Sequence, residues 1–64
     1  MITFIDERGS VVAVAQDPYQ FSHYYRQGHW FIVDGIISSP RDYGSVARAI
    51  AKLMRQTEEV ASHA

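Results

Sequence analysis

His23 and His29 stand six residues apart, and two imidazoles so placed are the start of a metal site, provided other ligands converge on them. Zinc takes four protein ligands in a structural site, or three and a water in a catalytic one, and the chain has no cysteine to complete either. Asp17 and Asp34 would serve only if the fold carried them to the same place, so no metal is expected. Nucleophilic chemistry is represented by Ser22, Ser38 and Ser39, with the same histidines and Asp34 as base and orienter. None of these serines sits in the strand-turn-helix elbow that exposes a nucleophile. The glycines at 9, 28, 35 and 44 stand singly, so no phosphate-cradling loop forms. Glu58 and Glu59 are adjacent, which on a helix turns them about 100° apart and separates them as an acid and base pair. The reading is a chain without an enzymatic centre, cofactor or metal.

Recognition is better represented than catalysis. Six of the eight aromatic residues fall between Tyr19 and Phe31, with His23 and His29 set among them. Large rigid rings and arginine dominate protein-protein contacts because they bury much area at small entropic cost. Tyr19, Tyr24, Tyr25, Arg26, His29 and Trp30 are therefore the candidate contacts with a protein partner. The plainer alternative for each is packing within the chain, which weighs most for Trp30. A second candidate surface is electrostatic. The net charge is -1, but Arg41, Arg48, Lys52 and Arg55 outweigh Asp42 between residues 41 and 55 to give +3, leaving -4 elsewhere. Arg48, Lys52 and Arg55 recur at i, i+4 and i+7 and share one helix face, where they could meet nucleic-acid phosphates. An ordinary solvated helix face explains the same spacing, and a faintly acidic chain is unlike most nucleic-acid binders.

The elements that must position these residues can be traced along the chain. Met1 to Ile5 and Val11 to Ala15 are apolar runs around the turn-forming Glu7-Arg8-Gly9-Ser10, the pattern of a hairpin. Trp30 to Val33 and the pair Ile36-Ile37 flank Asp34-Gly35, a dipeptide suited to the left-handed dihedrals of a tight hairpin turn. Tyr19 to Arg26 reads two ways. As a strand it puts Tyr19, Phe21, His23 and Tyr25 on one face; as a helix capped by Asp17 with Pro18 first, it lines up Phe21, Tyr24 and Tyr25. Its aromatic richness tips the reading slightly toward strand. Gln27-Gly28 marks a turn or a helix stop. From Ser39 or Ser45 onward, Val46, Ala49, Ile50, Leu53, Thr57, Val60 and Ala61 trace the apolar stripe of an amphipathic helix. The expected fold is a single α+β domain over residues 1–64, with a small antiparallel sheet of three or four strands packed by one C-terminal helix.

A domain of this size buries only about 60% of the surface its unfolded chain exposes. Without cysteine it has no disulfide to compensate. One helix covers one face of a sheet whose strands are apolar on both, so the other face is left bare unless Tyr19 to Tyr25 folds across it. A bare apolar face implies a partner, and a homodimer formed face to face or edge to edge is the expectation. Absence of cysteine fits a reducing compartment, and no apolar run approaches the roughly 18 residues of a membrane span, so a cytoplasmic protein is expected. In size and composition the chain looks like the small adaptors and inhibitors that phages and plasmids encode.

Overall fold

A computed structural model describes residues 1–63, with side chains described through residue 56. The elements run β1 (Ile2–Ile5), β2 (Val11–Ala15), α1 (Pro18–Arg26), β3 (Trp30–Val33), β4 (Ile36–Ser38) and α2 (Tyr43–His63). The strands form one antiparallel sheet in the order β2-β1-β3-β4, so α1 carries the chain over β1 from one side of it to the other. The α+β class and the C-terminal helix on the sheet are as the sequence implies.

The segment after Ala15 is a helix, which corrects the lean toward strand. Local chemistry explains the outcome. Asp17 is extended, and its carboxylate accepts the backbone N–H of Gln20 at 2.8 Å while Pro18 presets the first helical turn. At the other end Gly28, at φ +86°, donates its N–H to Tyr25 O and stops the helix. Aromatic residues favour strands because they pack well on a pleated surface, and here the same rings pack from a helix. The second helix begins at Tyr43, between the two starts that the sequence offers. Asp42 supplies the cap: its carboxylate accepts the N–H and the hydroxyl of Ser45, and its carbonyl accepts the N–H of Val46. Asp34 and Gly35 both have positive φ, 53° and 76°, as the tight β3–β4 turn requires.

Register sorts the strand residues between the faces. Ile2, Phe4, Ala15, Phe31 and Val33 point to one side, where Phe21 of α1 and Ala49 and Leu53 of α2 meet them. Phe4, Phe21 and Phe31 form a triangle of rings with centroids 5.3 to 6.0 Å apart. Tilted and edge-on arrangements of this kind are the ones aromatic quadrupoles favour. Both helices therefore cover the same face. The sequence offered one helix as cover and left open a second segment folding across the opposite face; the second segment instead joins the first.

Candidate functional site

The opposite face of the sheet is bare and apolar. Thr3 and Ile5 of β1 alternate with the core residues and point away from the helices. Their register partners are Val14 and Val11 on β2 and Ile32 and Trp30 on β3, and Ile37 on β4 pairs with Ile32. Seven neighbouring side chains thus make an uncharged surface four strands wide. Ile5, at its centre between Val11 and Trp30, is only 5% exposed, whereas Val11 is 63%, Ile37 57% and Trp30 50% exposed. An apolar surface that is contiguous in this way marks an interaction site in soluble proteins more often than scattered exposed residues do.

At one end the face runs into a cleft of about 990 Å³ between two turns. Its floor is Ile5, Trp30 and Ile37; its walls are the Asp6–Gly9 turn and the Gln27–His29 segment. The first wall is held by Asp6, whose carboxylate accepts the backbone N–H groups of Arg8 and Ser10, both at 2.9 Å. The second is held by Gln27, whose side-chain amide bonds His23 Nε2 at 3.1 Å and His29 Nε2 at 3.3 Å. The amide bridges the two histidines, one from the last turn of α1 and one from the turn after it. Among the described residues no group of three or more histidines, cysteines and acids converges on a metal-sized site. Ser38 donates to Ile36 O on the buried face, and Asp34 is ion-paired with Lys52. These groups are thus engaged apart from the two histidines.

The candidate contacts separate into three groups. Trp30 lies on the bare face and His29, half-buried, beside it in the cleft. Tyr19, 88% exposed, and Arg26 are on α1, on the far side of the sheet. Tyr24 and Tyr25 are half-buried against the core, with ring centroids 5.5 Å from Phe4 and 5.8 Å from Phe21 respectively. Val11, Val14 and Ile37 were not among the contacts expected from sequence. Their signal was the double-sided apolar pattern of the strands, which cannot say which side a helix will take. On α2, Arg48 and Arg55 are exposed, while the Lys52 ammonium is held by the Asp34 carboxylate.

No family model, curated protein or solved structure matches this chain. Among the described residues no helix is long and apolar enough to cross a membrane.

Proposed function

We propose that this chain is a non-enzymatic protein-binding module, homodimeric and adaptor- or inhibitor-like, whose main contact surface is the bare sheet face around Trp30. The observation that carries this reading is the seven-residue apolar face left open when both helices pack on the other side. A half-exposed tryptophan flanked by aliphatic side chains and a polar rim has the composition of an interface hot spot. The exposed Tyr19 and Arg26 of α1 offer a second contact on the opposite side of the molecule. Lack of cysteine suits a reducing, cytoplasmic setting for such a protein.

The nucleic-acid reading through Arg41, Arg48, Lys52 and Arg55 has less support, because Asp34 already neutralises Lys52 in the middle of the stripe. Hydrogen exchange on the chain crosslinked to its partner from the native host separates the two readings. Protection across residues 30–37, lost together with capture in Trp30→Asp but kept in Arg48→Glu, is the expected result. Protection confined to residues 41–55 overturns the proposal.

A further inference from the structure

We propose that the protein seated on the bare face is a second copy of this chain, packed face to face so that two four-stranded sheets form a sandwich with the helices outside. This rests on the protein-binding reading and adds the partner and the geometry.

Two features favour self-packing of the faces, and a third sets its strength. The first is the state of the sheet edges, which are the other route to a dimer. The β2 edge is interrupted by a bulge: the register steps from Phe4↔Ala13 to Ile5↔Val11 and leaves Val12 unpaired. The β4 edge is three residues long and is followed two positions later by Pro40, which has no N–H to donate. Bulges, brevity and proline are the devices that keep an edge from templating another strand.

The second feature is charge. About a two-fold axis each side chain near the axis meets its own copy, so a charge there meets its like. Thr3, Ile5, Val14, Trp30, Ile32 and Ile37 carry none. The charged groups Asp6, Glu7 and Arg8 sit in the turn at the rim, where water can reach them.

The third is size. Four strands about 4.8 Å apart, with residues rising about 3.3 Å, make a footprint on the order of 300 Å². Two such faces, with their rim side chains, fall in the small class of interface below about 1,200 Å² in total, which is weak and reversible. The sandwich is therefore a dimer that dissociates on dilution, with sheets about 10 Å apart and strands inclined by roughly 30°.

The test is sedimentation equilibrium of the full chain from micromolar to millimolar concentration. The mass is expected to rise from 7.3 kDa toward twice that value, with the Trp30 emission shifting to the blue over the same range. Ile37→Lys and Ile37→Glu, at a position already bordering water, should each stay at the protomer mass, with circular dichroism confirming the fold. Ile37→Ser, which adds no charge, should weaken association about tenfold. A wild-type mass of 7.3 kDa throughout overturns the inference, and so does a dimer that survives both charged substitutions, which would place the contact at an edge. Neither result touches capture of a different protein through Trp30, which the crosslinking experiment reads separately.

Discussion

Trp30 and Phe31 are consecutive residues of β3 on opposite faces of the sheet: Phe31 is fully buried beneath the helices, while Trp30 is half exposed on the side they leave bare. Two large rings one peptide apart thus serve different ends. Phe31 closes the ring triangle with Phe4 and Phe21, and Trp30 lines the cleft with His29.

The first prediction compares them. Phe31→Ala empties a close-packed position and should cost about 3 to 5 kcal/mol, most of the stability of so small a domain. Trp30→Ala removes a ring that water already reaches and should cost about 1 kcal/mol or less. Urea unfolding followed by far-UV circular dichroism measures both. Equal losses would mean that Trp30 is packed as a core residue and would remove the basis for a contact surface.

A second prediction concerns the start of α1. Asp17→Ala leaves the N–H of Gln20 without its acceptor and should destabilise by roughly 0.5 to 2 kcal/mol, whereas Asp17→Asn or Asp17→Ser should keep most of the cap. Because α1 delivers Phe21 to the core, the loss should appear in the global unfolding transition. A loss confined to local helix fraying would mean that α1 folds independently of the sheet.

The β3–β4 turn supplies a third. Gly35 adopts φ +76° and a Cβ there would meet nothing within 4 Å, so Gly35→Ala isolates the backbone cost from any clash. A left-handed conformation costs an L-residue about 1 to 2 kcal/mol, and the urea midpoint should fall accordingly. Gly35→Asn, which tolerates that region better, should recover part of it. The ion pair beside the turn is a smaller matter: Lys52→Met should cost under about 1 kcal/mol and less in high salt, since both side chains are over a third exposed.

How far the sequence reveals this architecture depends on the range of each signal. Both hairpins were legible, because Gly9 and Asp34-Gly35 fix turns through backbone preferences that act within a few residues. The amphipathic stripe of α2 was legible through Leu53 for the same reason, and Thr57, Val60 and Ala61 lie outside the residues whose side chains are described. For residues 18–26 two local signals conflicted: ring content favours a strand, and Asp17-Pro18 starts a helix. The cap prevailed because a helix puts Phe21 between Phe4 and Phe31, a contact made across the fold that no local pattern encodes. The cleft was hidden for that reason too. It exists because β1 pairs with β3, which brings the turn after Ile5 beside the segment before Trp30. The strands were visibly apolar on both sides, but only the placement of α1 and α2 on one common side decides which side is bare.

The last prediction sets protein recognition against the electrostatic alternative. Arg48 and Arg55 are exposed on α2 and Lys52 between them is paired with Asp34, so among the described residues the face shows one of its three stripe cations already engaged. Each phosphate neutralised contributes about one unit of slope to the dependence of log affinity on log salt. A surface whose exposed cations are Arg41, Arg48 and Arg55, in an otherwise acidic chain, should therefore show only weak retention on heparin, lost by about 0.2 M salt. Releasing Lys52 by Asp34→Asn frees one more cation and removes an acid; if nucleic acid were the true partner, this variant should bind a labelled oligonucleotide several-fold more tightly and with a steeper salt slope. Under protein recognition through Trp30 neither protein should bind at tens of micromolar in anisotropy measurements, and partner capture should be the same for both. Tight oligonucleotide binding by the wild type, abolished by Arg48→Glu with Arg55→Glu and indifferent to Trp30→Asp, would transfer the function from the sheet to the helix.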